Sequence, residues 1–111
     1  VDVLFHESMS IDLVNLINKN AKRIGNTMAA KVTIDIQDYH TPIPKIVQAA
    51  QEANVAHLVF YHHLPAPRNQ LMENIMYRDV NKIMKNWTAS HDGTMVVLPI
   101  GSDEIIITSV N

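Results

Sequence analysis

Two short apolar runs, each ending in histidine, constrain the fold of this chain more than any other feature. Val1-Asp2-Val3-Leu4-Phe5 leads into His6-Glu7, and Leu58-Val59-Phe60 leads through Tyr61 into His62-His63. Runs of this length, rich in branched and aromatic side chains, suit strands buried in a sheet. The sequence between them has helical periodicity, so the chain reads as α/β. In open α/β sheets the carboxyl edge of the strands is where sites are built, and His6-Glu7 and His62-His63 both fall at that edge.

The pattern predicts a first strand near residues 2–5. Leu13, Leu16, Ile17 and Ile24 recur at helical spacing over residues 10–25, with Ser10 as N-cap and Gly25-Asn26 as the stop. Residues 27–37 mix helix-favouring Met28, Ala29 and Ala30 with β-branched Val32, Thr33 and Ile34, and are assigned to a helix. Thr41, with Pro42 at the first helical position, opens a further helix through Ile46, Val47, Ala50 and Ala53. A second strand follows at residues 56–61, then a loop marked by Pro65 and Pro67. A helix over 70–87 puts Met72, Met76, Val80, Ile83, Met84 and Trp87 on one face. Two strands, 94–98 and 104–108, close the chain as a pair joined across residues 99–103. The predicted order is β-α-α-α-β-α-β-β.

Composition removes several function classes. A net charge of −2 offers no basic stripe for a phosphate backbone, so nucleic-acid binding is not indicated, although a segment outside this chain could supply it. With no cysteine, any metal must be held by His, Asp or Glu, and no disulfide can form. No apolar run is long enough to span a membrane, and a cytoplasmic location is the expectation. The 111 residues suffice for one core and form a single unit, 1–111. Because the chain opens inside a run suited to a core strand and without an initiator Met, that unit is expected to be an incomplete domain lacking its N-terminal part.

Chemistry concentrates at three places that follow a strand or precede a helix: His6-Glu7, His40 and His62-His63. A neutral imidazole ligates zinc and titrates near pH 7, and a carboxylate behind it fixes its tautomer. The set therefore fits a metal site with an acid-base pair. Taken singly, each histidine is more often a hydrogen-bonded structural residue, and Glu7 alone could serve a helix N-terminus or solvent. His57 and His91 lack such placement and are read as structural. The methionines are read as core filling. No His-Glu-x-x-His signature is present, and three glycines do not make a phosphate-cradling loop.

Four segments in order resemble the ribonuclease Z and arylsulfatase-like branch of the metallo-β-lactamase fold. Val1 to Ser8 resembles that branch's strand and His-Glu pair. Asp38-Tyr39-His40-Thr41 is similar to its His-Ser/Thr element, which opens a helix ending in Ala-x-x-Ala-x-Val, here Ala50-Gln51-Glu52-Ala53-Asn54-Val55. His57-Leu58-Val59-Phe60-Tyr61-His62 is similar to the strand that delivers the last metal-ligand histidine. Asp92 to Glu104 resembles the closing hairpin.

The resemblance implies the C-terminal part of an αββα sandwich, with His62 a metal ligand and His40 and Glu7 a pair acting on substrate or leaving group. His63 departs from the small or apolar residue expected after the ligand, and its role is open. The implied cofactor is zinc, two ions in the full-length protein, with the remaining ligands outside this chain and in its missing N-terminal partner segment. The implied reaction is hydrolysis of a phosphoester or sulfate ester by metal-activated water. A small-molecule ester is favoured over RNA because the visible surface is not basic, and the chain alone is expected to be inactive. Whether it forms a homodimer is left open. The alternative is a stand-alone α/β interaction or regulatory module with structural histidines.

Overall fold

The computed structural model describes residues 2–110, a mixed α/β arrangement of one three-stranded parallel sheet, a separate β-hairpin and four helices. Strand β1 (Val3–Met9) is followed by α1 (Ile11–Arg23), α2 (Thr27–Asp35) and α3 (Ile43–Glu52). Then come β2 (His57–Leu64), α4 (Gln70–Met76), β3 (Trp87–Ala89), and the paired strands β4 (Thr94–Val97) and β5 (Ile106–Ser109). Two single 3-10 turns, Ile36–Asp38 and Val80–Lys82, follow α2 and α4. None of the helices is long and apolar enough to cross a membrane.

Local chemistry accounts for the helix boundaries. The Ser10 side chain accepts from Leu13 N and starts α1, as its sequence position predicts, and Asn26 and Asn69 cap α2 and α4 in the same way. Past the end of α1, Gly25 takes φ 78°, Gly25 N donates to Lys22 O and Asn26 N to Ala21 O. These two hydrogen bonds satisfy carbonyls that a helix end leaves open, and they need the left-handed residue that glycine supplies. Helix α3 ends by the same device, with Asn54 at φ 55° in the glycine's place and Val55 N donating to Ala50 O. Pro42 is the extended cap before Ile43 rather than the first helical residue, and Pro44 occupies the first turn, where its missing N–H costs nothing.

The sheet order is β1-β2-β3, all parallel. Central strand β2 is fully buried at Leu58, Val59 and Phe60, the continuous apolar run expected of a parallel strand covered on both faces. Leu58 and Phe60 pack into the main core with Ile43, Ile46, Val47 and Ala50 of α3 and with Met76, Tyr77 and Val80. Truncating a fully buried side chain such as Leu58 to Ala would cost on the order of 2–5 kcal/mol.

Two expectations need correction. Both sheet strands run further than their apolar cores, β1 to Met9 and β2 to Leu64. More importantly, the helix expected over 70–87 stops at Met76. The apolar period persists because Tyr77 and Val80 also face the core, but they do so through a turn. Trp87, Thr88 and Ala89 then extend and pair with Leu58, Val59 and Phe60. An open β2 edge carries unpaired backbone groups, and these residues satisfy them, with Leu58 N donating to Asn86 O at 3.0 Å. The order therefore contains one strand more than the sequence indicates.

Candidate functional site

Glu7, His40 and His62 converge at the carboxyl edge of β1 and β2, each offering one ligand atom, all within 4.8 Å of one another. They come from three elements. Glu7 stands on β1, two residues before the strand ends. His40 lies on the loop that enters α3, and that loop is held beside β1 by an isolated bridge between Met9 and Pro42. His62 belongs to the last part of β2.

Both carboxylate oxygens of Glu7 are engaged. Oε2 bonds His40 Nδ1, and Oε1 accepts from Thr41 N at 2.9 Å. Burial pushes the Glu7 carboxyl up, but the hydrogen bonds from His40 and Thr41 N and the nearby imidazoles outweigh it, holding its pKa below the ordinary 4.5. Glu7 is thus a carboxylate that fixes a ring. A carboxylate can only accept, so His40 carries its proton on Nδ1 and turns Nε2 into the ring's remaining functional nitrogen. Among the described residues no hydrogen bond occupies that Nε2 or the His62 ring, and the two rings lie 5.5 Å apart between centroids.

His62 arrives there through an irregularity. Glu7 pairs with Tyr61 while Ser8 pairs with His63, so His62 is an extra residue with no partner on β1. Its φ is 48°. A bulge of this kind interrupts the alternation of side chains and re-aims one of them, and it is uncommon between parallel strands.

His63 faces elsewhere. Its Nε2 donates to Ser90 O at 2.7 Å and its Nδ1 bonds the Tyr77 hydroxyl, which also lies 2.7 Å from Ser8 Oγ. Burial pushes the Tyr77 phenol up, offset in part by the Ser8 hydrogen bond, while the Glu73 charge adds to the rise. Tyr77 therefore remains a proton donor at any physiological pH. Of the remaining histidines, His6 Nδ1 bonds Glu7 O, His57 Nε2 bonds Thr88 Oγ1 at 2.8 Å, and His91 Nε2 pairs with Glu73 Oε1 at 2.5 Å. Burial lowers the His57 pKa.

Sequence reasoning missed Ser8, Tyr77 and Thr41 N as parts of this region. Only the doubled His62-His63 hinted at them, since two adjacent strand residues ordinarily point to opposite faces.

Two imidazoles and a carboxylate offer nitrogen and oxygen atoms of the kind that ligate divalent metals, so the group could hold a metal ion. With Glu7 spent on His40 and Thr41, the imidazoles are the donors the described residues leave available. Comparison with known proteins gives no match to a family model or to a curated relative.

Proposed function

We propose that this chain carries part of the active site of a zinc-dependent hydrolase acting on phosphoesters or sulfate esters, as the C-terminal part of a metallo-β-lactamase-like sandwich. The observation that carries the reading is the meeting of Glu7, His40 and His62, far apart in sequence, at one edge of a parallel sheet. An acid-base pair assembled beside a second imidazole is where perturbed chemistry, rather than packing, explains the arrangement.

In this reading His62 is a metal ligand. When bound, zinc supplies a Lewis acid and a water whose proton is lost near neutral pH. The chain's own residues do the rest. Glu7 holds Nδ1–H of His40, so that Nε2 of the neutral ring accepts a proton and that of the charged ring donates one to a leaving-group oxygen. Thr41 N keeps the carboxylate from rotating away. Two zinc ions need more ligands than the described residues bring to this edge, so the remaining ones belong to a partner segment.

A cavity of ≈ 210 Å³ is lined by apolar residues such as Met9, Pro42, Val47 and Val80 together with the charged Asp12, Arg78 and Asp79. Neither Glu7, His40 nor His62 lines it, and the preference for a small ester over a nucleic acid rests on the net charge of −2. In the protein with its complete ligand set, His40→Ala should retain zinc and lose roughly 10²–10⁴-fold in turnover of nitrophenyl phosphate or sulfate esters. Glu7→Gln should give a milder loss of about 10–100-fold. Turnover unchanged in His40→Ala would refute the assignment.

A further inference from the structure

The bulge that aims His62 is unfavourable by itself. A left-handed backbone costs a residue with a Cβ roughly 1–2 kcal/mol, and a regular strand would instead put His62 opposite Ser8. In that regular register His62 would stand where His63 now stands, and His63 would take the other face. Something must favour the irregular register over the regular one.

His63 is the residue that distinguishes the two. It is tied to three separate elements: by Nε2 to Ser90 O beyond β3, by Nδ1 to Tyr77 beyond α4, and through Tyr77 to Ser8 on β1. The Ser90 carbonyl can only accept, so Nε2 carries the proton, and Nδ1 of the neutral ring is left to accept from the Tyr77 O–H. The Ser8 hydroxyl stands beside both, 2.7 Å from the Tyr77 oxygen and 3.3 Å from His63 Nδ1, with Tyr61 O at 3.4 Å. Ser8 is fully buried and Tyr77 nearly so. Ser90 is itself fixed to β2, its N and Oγ both donating to Phe60 O at 3.0 and 2.7 Å. Buried polar groups of this kind need their partners, and leaving one unpaired costs about 1–3 kcal/mol, comparable to the strain at His62.

We propose that His63, locked by Tyr77, Ser8 and the Ser90 carbonyl, is a positioning residue that holds β2 in its bulged register and so presents the His62 imidazole to His40 and Glu7. Its value as a metal-site device rests on the proposed function, whereas the positioning itself does not. Contacts that orient a ligand in this way are worth about 10–100-fold in metal affinity.

Two readouts on this chain separate the ideas. In the metal-free protein, a ring-to-ring nuclear Overhauser effect between His40 and His62 reports convergence, and cobalt(II) absorption titration reports ligation. Tyr77→Phe keeps the aromatic packing against Phe60 and Trp87 but removes the hydroxyl. It should abolish the His40–His62 signal and weaken cobalt binding about 10–100-fold, with the β4–β5 amide shifts unchanged. His63→Leu should do the same, and His63→Gln, which retains an amide donor for Ser90 O, should recover part of the loss. If Tyr77→Phe does not fold, Ser8→Ala, which deletes one hydroxyl, decides by the same two measurements. A His40–His62 signal that persists in the variants, or that is missing from the unaltered protein, overturns the proposal. Loss of that signal in the variants of a protein that binds no cobalt would uphold the positioning role and refute the metal reading alone.

Discussion

Among the described residues there are two histidine-carboxylate pairs, and their settings differ more than their chemistry. In the first, Glu7 grips His40 through Nδ1, both side chains are about three-quarters buried, and the carboxylate's second oxygen takes a backbone N–H. A third donor, His62, stands beside them. In the second, Glu73 meets Nε2 of His91, its other oxygen accepts from Gln70 Nε2 at 2.8 Å, and His91 is 61% exposed while Glu73 is only 10% exposed. Among the described residues no third ligating group joins that pair. The first pair presents a restrained imidazole to a shared space, and the second seats one buried carboxylate on a short helix. Identical residue types thus make a candidate reaction centre at a sheet edge and a structural tie on its flank.

The largest expected difference concerns metal. His62→Ala should reduce cobalt(II) or zinc binding by this chain to below detection, whereas His91→Ala should leave it unchanged in the same titration. Equal losses in both variants would erase the distinction.

Stability should rank the pairs the other way. Glu73→Ala removes the partner of both Gln70 and His91 and should cost on the order of 1 kcal/mol, the solvated His91 keeping the figure small. Urea unfolding followed through Trp87, the single tryptophan, which packs on Tyr77, measures it. Glu7→Gln should move that midpoint less, since an amide oxygen can still accept from Thr41 N.

The smallest effect is a pH slope. The Glu7 carboxyl lies below its ordinary value in the fold, so it contributes stability fully present above that ordinary value of 4.5, and lost as pH falls through the folded one. Acid unfolding of Glu7→Gln should therefore be shallower in that window than that of the unaltered protein. A steeper slope would mean that Glu7 is not held as an ion by His40 and Thr41.

Much of the scaffold was readable because local signals agreed with distant packing. Leu4 and Leu58 lie in apolar runs and pair in register, Ser10 caps α1, and Gly25 ends it. The meeting of Glu7, His40 and His62 was legible as a coincidence of two strand ends and a helix start, and the resemblance singled out the same three residues. What stayed hidden was decided by partners remote in the chain. Nothing local distinguishes Trp87 in a strand from Trp87 ending a helix, because only the open edge of β2 makes the difference. Tyr77 and Ser8 are ordinary residues in sequence, and their pairing depends on a register shift that no periodicity encodes. Glu73 breaks the rule that charge faces water, for the sake of a histidine that follows in a later loop.

Among the described residues the hairpin of β4 and β5 pairs only within itself and joins no strand of the parallel sheet. Its tip exposes Leu98 and Ile100, and Val110 beyond β5 is also largely open to water. Two-stranded ribbons without a third strand are marginal as isolated structures. The amide protons of Met95, Val97 and Thr108, which lie in the hydrogen-bonded pairs of the ladder, should accordingly exchange with deuterated solvent through a local opening that leaves Leu58, Val59 and Phe60 protected. The molecule would then melt in two cooperative units of unequal strength, and the edge that gathers Glu7, His40 and His62 belongs to the stronger.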